Sequence, residues 1–213
     1  MDKLLLFTLG VMLFALSCSD APTSDNITDS LEPVEEVVII SGAESAEISL
    51  RKSEQSFFEI DFLNIKSNNI IQNGKQEGWC IDWTKPISSN GEIYSNISLY
   101  STYNVKGWKP LNYLFNIIDD VINDDPEITF REVQIAIWSL RGNPEFDLDT
   151  IKIEDLPSDM HENSEPLFNR EKVDKLLGIV ESGYRDFTPT SNSKFAVIAE
   201  TPADTQTVIT VVN

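Results

Sequence analysis

Apolar and polar positions alternate at five places along the chain: Val37–Ile40, Phe57–Phe62, Ile93–Tyr100, Phe195–Glu200 and Thr207–Val212. A period of two, rich in β-branched and aromatic residues, predicts strands with one buried face. In the middle of the chain the period lengthens. Pro110 opens a stripe of Leu111, Leu114, Phe115, Ile118, Val121 and Ile122, the spacing of a helix with one apolar face. Thr129 followed by Glu132 forms a capping box, from which a second helix runs through Phe130, Val133, Ile137 and Leu140 and stops at Gly142. A third covers about Arg170 to Glu181. Strands, then helices, then strands predict an α+β fold: a β-sandwich or barrel-like body with a helical insertion between the early and late strands.

The first residues follow another pattern. Lys3 precedes the apolar run Leu4–Leu16, and Ser17-Cys18 ends it. The run is shorter than the roughly 20 residues a permanent span needs, so residues 1–17 are expected to be a secretory signal removed before Cys18. Ala15-Leu16-Ser17-Cys18 resembles the lipobox of bacterial lipoproteins. That resemblance implies that Cys18 is lipidated and that the protein meets the membrane through its lipid anchor only. Residues 19–36 are polar and acidic, with no Lys or Arg until Arg51, which predicts a solvated tether. Residues 18–36 thus read as lipidated cysteine and tether, and 37–213 as one domain with its own core. Ser19-Asp20 after the cysteine is similar to the start of surface-displayed lipoproteins; the expected location is the bacterial envelope, at the outer membrane or cell surface.

The net charge of −19 argues against a nucleic-acid partner and would steer cationic, lysine-rich surfaces toward the domain. The sequence carries no phosphate loop, dinucleotide fingerprint or metal-ligand cluster, so no cofactor and no metal are expected.

If Cys18 is acylated, Cys80 is a lone cysteine in an oxidising compartment, among Trp79, Ile81 and Trp83. Three readings are open for it: a buried inert thiol, a nucleophile, or a thiol consumed in an internal covalent bond. On the second helix, Gln134 borders the apolar face, where an amide needs partners. Together, Trp79-Cys80-Ile81-Asp82 and Gln134-Ile135-Ala136-Ile137-Trp138 resemble the two motifs of bacterial thioester domains, in the same order. The resemblance runs from about Gly78 to the C terminus and includes the last strand pair around Phe195–Val197 and Val208–Ile209.

The resemblance implies a β-rich body with a helical subdomain, and an internal thioester joining Cys80 to Gln134. Such a bond forms when the cysteine sulfur displaces ammonia from the amide; a partner's amine can then take the acyl group and release the thiol. The outcome is covalent attachment to a lysine-bearing protein or other amine-bearing surface ligand in a single turnover, as in adhesion, not enzymatic catalysis. Trp79, Trp83 and Trp138 would exclude water, and Asp82 would either position the amine or cap a turn. Two other expectations stand beside it. One is a cysteine hydrolase with His161, the only histidine, as base. The other is a non-covalent protein- or glycan-binding module that presents Trp79, Trp83 or Trp108 and leaves Cys80 inert.

Overall fold

The computed structural model describes residues 37–213; the expected signal peptide, Cys18 and the tether lie outside the described residues. The strands are β1 (Val38–Ile39), β2 (Ala46–Lys52), β3 (Phe58–Leu63), β4 (Gly74–Cys80), β5 (Asn90–Ser101), β6 (His161–Glu162), β7 (Glu165–Pro166), β8 (Phe195–Glu200) and β9 (Val208–Val212). Helices α1 (Lys109–Asp124), α2 (Phe130–Arg141) and α3 (Arg170–Gly183) fall between β5 and β8.

Neighbouring strands run in the order β5-β2-β3-β4-β9-β8, and β8 pairs back onto β5, so six antiparallel strands close a barrel. Of the two architectures the alternation allows, closure selects the barrel, in which each of these six strands has a neighbour on both sides along most of its length. One long strand makes closure possible. The stretch Asn90–Ile97 of β5 pairs with β2 and its last four residues, Ser98–Ser101, pair with β8. The register shifts near the join, where Asn96 takes φ 60°, a left-handed conformation that asparagine tolerates. The short β1 is laid on the end of β5.

Cross-strand partners share a face, so the register separates inside from outside. Ile48 opposite Phe62, Leu50 opposite Ile60, Leu99 opposite Ala199 and Cys80 opposite Val208 line the barrel interior, all of them buried. Trp79 opposite Ile209, and Ile209 opposite Ile198, form the outer wall. The helices cover that wall: α1 packs on β8, and α2 on β4. Between Cys80 and the polar start of β4 sits Gly78, where a Cβ would run into the Ile60 side chain; only glycine lets β4 lie this close to β3.

Polar groups fix the helices to the barrel. The buried Asn112 of α1 accepts from the Ala196 N–H and the Thr102 hydroxyl and donates to the Thr102 carbonyl. Glu132 completes the expected capping box with Thr129 and also accepts from the Asn169 N–H at 2.8 Å, which ties the start of α2 to the N-cap of α3. Burying a carboxylate is tolerable here because its oxygens receive several donors.

Candidate functional site

Strand β4 outlasts β3. The pairing of β3 with β4 ends at Phe58 opposite Gly78, so two residues later the N–H and C=O of Cys80 have no strand beside them on that side. Buried backbone groups left this way cost about 1–3 kcal/mol each. The side chain of Gln134 takes the place of the missing strand. Its Oε1 accepts from the Cys80 N–H at 2.9 Å, and its Nε2 donates to the Cys80 carbonyl at 2.8 Å. A carboxamide has one donor and one acceptor side, as a peptide unit does, which is why glutamine suits this position. Gln134 and Cys80 are both 0% exposed.

With Gln134 committed to the Cys80 backbone, the sulfur has a different neighbour. The thiol of Cys80 lies 2.9 Å from Oε1 of Gln206, to which it donates. A carbonyl C–O bond adds at most about 1.2 Å, so the amide carbon of Gln206 is within about 4.1 Å of the sulfur. Gln206 is 3% exposed. It sits two residues before β9, whose pairing with β4 sets Cys80 opposite Val208 and lets the Ile81 N–H donate to the Thr207 carbonyl. Neither the Trp79–Asp82 motif nor the Gln134–Trp138 motif contains Gln206, and no pattern local to it marks its role. Only the closed topology brings that strand to β4.

The electrostatics disfavour a free thiolate. Burial pushes the Cys80 pKa well above its ordinary 9.0, and the nearby charge of Asp82 pushes it the same way. A low-pKa nucleophile of the hydrolase kind is not what this environment makes. His161 faces elsewhere: it lies in the β6–β7 hairpin, with Nε2 3.0 Å from the Leu156 carbonyl.

Asp82, 1% exposed, does cap a turn: Oδ1 accepts from the Thr84 N–H and hydroxyl and from the Lys85 N–H, each at 3.3 Å. It also holds an amine, with Lys85 Nζ 3.1 Å from Oδ2. The segment after Cys80 closes over the site. The Gln206 N–H donates to the Pro86 carbonyl, the Asn143 N–H to the Ile81 carbonyl, and the Trp83 indole N–H to the Pro144 carbonyl.

The expected tryptophans divide. Trp138 is fully buried against Phe57 and Phe146, and Trp83 meets Phe146 edge-on with ring centroids 5.5 Å apart. Trp79 turns to the outer wall of the barrel, away from the sulfur, because successive strand residues face opposite ways. The expectation of exposed tryptophans at a binding face is corrected: Trp79 and Trp108 are buried, the latter beneath the Arg141 guanidinium, and Trp83 is half-buried. Among the described residues no group of His, Cys, Asp or Glu could hold a metal ion, and no helix is long and apolar enough to cross a membrane. Comparisons with protein-family models, with curated proteins and with solved structures return no match.

Proposed function

We propose that the domain is a covalent attachment module in which Cys80 and Gln206 form an internal thioester, with Gln134 as the clamp that holds the Cys80 backbone. The observation that carries this reading is the buried contact between the Cys80 sulfur and the Gln206 carbonyl oxygen at 2.9 Å. The committed geometry of Gln134 supports it from the other side, since acylating Cys80 with that amide would forfeit both of its backbone bonds. Relative to the resemblance, the acyl donor moves from position 134 to 206, and the pairing with Cys80 is kept.

The chemistry balances within the site. The sulfur attacks the Gln206 amide carbon, the S–C bond forms as the C–N bond breaks, and the thiol proton leaves with the ammonia. A partner's primary amine then attacks the same carbon, an amide forms, and the S–C bond breaks with a proton returned to sulfur. Water is kept off by the cover over Gln206, whose side chain is buried and whose N–H donates to the Pro86 carbonyl. An amine must displace the cover around Pro86, whose carbonyl holds the Gln206 N–H, to reach the carbon. The reaction consumes the site, so the protein attaches once and does not turn over.

In this reading Cys18 supplies the lipid anchor and residues 19–36 the tether that presents the domain at the envelope surface to a lysine-bearing partner. Peptide mapping tests the bond: a crosslinked species joining the Cys80 and Gln206 peptides, lost on methylamine treatment with methylamide on Gln206, is the expected product. A free Cys80 and an unmodified Gln206 in freshly prepared protein would overturn it.

A further inference from the structure

Asp82 carries one oxygen more than its turn requires. Oδ1 accepts all three of the bonds from Thr84 and Lys85 that cap the turn, a task for which an asparagine suffices. Oδ2 is buried as well, and among the described residues no aligned hydrogen bond reaches it. Its charge is answered by Lys85, whose Nζ lies 3.1 Å away. The Lys85 side chain is only 18% exposed, whereas a lysine ordinarily keeps its ammonium in water. The fold therefore already seats a primary ammonium, its own, on a buried carboxylate.

The sheet sets where this pair stands. Cys80 is opposite Val208, and the bond from the Ile81 N–H to the Thr207 carbonyl carries that register one step on, which brings the backbone of Asp82 level with Gln206. From the other side Pro86, the residue after Lys85, holds the Gln206 N–H. The Asp82 charge is also felt at the Cys80 sulfur, where it adds to the rise of the thiol pKa. Beside an acyl group, a buried carboxylate repels anionic nucleophiles and draws in an ammonium, whose proton it can accept. We propose, on the premise of the Cys80–Gln206 thioester, that Asp82 is the subsite for the attacking amine and that Lys85 is its resident occupant, which the partner's lysine must displace. The substrate so selected is a cationic primary amine. The incoming ammonium gives one proton to the Asp82 carboxylate as its nitrogen bonds to the Gln206 carbon. The S–C bond then breaks, and a second proton moves from that nitrogen to sulfur. Asp82 afterwards returns its proton to water, and the partner is left joined to Gln206 through an amide.

The test compares the rates at which two nucleophiles form an adduct on Gln206, followed by intact mass: methylamine, which is cationic near neutral pH, and hydroxylamine, which is largely neutral there. Lys85→Met empties the subsite and is expected to speed methylamine about fivefold with little change for hydroxylamine. Asp82→Asn keeps a capping oxygen and is expected to slow methylamine at least about tenfold relative to hydroxylamine. Loosening the cover alone would speed both nucleophiles alike, so the ratio of the two rates separates the subsite from the cover. A wild type that has lost one ammonia and reacts, with the ratio unmoved in folded Lys85→Met, would overturn the proposal and leave the thioester standing. No loss of ammonia in the wild type and no adduct from either nucleophile would overturn the thioester, and the proposal with it.

Discussion

Gln134 closes the open hydrogen-bonding edge of Cys80, donating to its carbonyl and accepting from its N–H across 54 residues of sequence. Removing the amide strands two buried backbone groups. Gln134→Ala is expected to lower stability by about 2–5 kcal/mol in denaturant unfolding while leaving the sulfur beside Gln206. Gln134→Glu keeps an acceptor and loses the donor, so its loss should be comparable and should shrink at low pH, where a protonated carboxyl can donate again.

The proposed bond closes a loop of 126 residues between Cys80 and Gln206. Treated as a chain crosslink of that length, it stabilises the fold by about 5 kcal/mol, a large share of a typical total of 5–15 kcal/mol. Methylamine is therefore expected to lower the melting temperature of the wild type and to leave Cys80→Ala and Gln206→Ala unmoved. A melting temperature that methylamine does not change in the wild type would count against the crosslink.

The pH dependence separates bonded from free thiol. In Gln206→Ala the thiol is free, and its folded pKa stands well above 9.0 because burial, then Asp82, disfavours the thiolate. The unfolded chain ionises near the ordinary value, so rising pH favours unfolding. Stability in this variant should be complete below about pH 9 and decline as pH climbs toward the folded pKa. The bonded wild type has no thiol to titrate at this position and should lack that decline, as should Cys80→Ala.

Gly78 is the close-packing point two residues before the thiol. Gly78→Ala forces a methyl into Ile60 and should cost about 1–3 kcal/mol in unfolding measurements. By pushing β4 off β3 it should also reduce the crosslinked fraction. A variant of wild-type stability would show that β4 has slack to yield.

The three helices, the capping box of α2 and the strands around Phe57–Phe62, Ile93–Tyr100, Phe195–Glu200 and Thr207–Val212 are legible in the sequence: α1, α3 and the first two of these strands alternate a buried with a wetter face, while the last two are short apolar runs buried on both faces. The helix Arg170–Gly183 runs only two residues past its expected end. Two strands escape. In β2, Ala46, Ile48 and Leu50 alternate with Glu47, Ser49 and Arg51, a signal that was present and usable. In β4 the alternation is absent, since Lys75, Gln76 and Glu77 are exposed and Gly78 is chosen for close approach, not burial of a side chain. Gln206 is illegible for a further reason. Its role depends on β9 lying beside β4, a contact between distant segments that no local pattern encodes, whereas Gln134 stands inside a helix whose apolar face announces it.

Intact mass of freshly prepared protein tests the central claim most directly, compared across the wild type, Cys80→Ala, Gln134→Ala and Gln206→Ala. The expected result is a deficit of one ammonia in the wild type and in folded Gln134→Ala, absent from Cys80→Ala and Gln206→Ala and erased by methylamine. A deficit that persists in Gln206→Ala and vanishes in Gln134→Ala would return the acyl group to Gln134, and no deficit in any of the four would contradict the thioester itself.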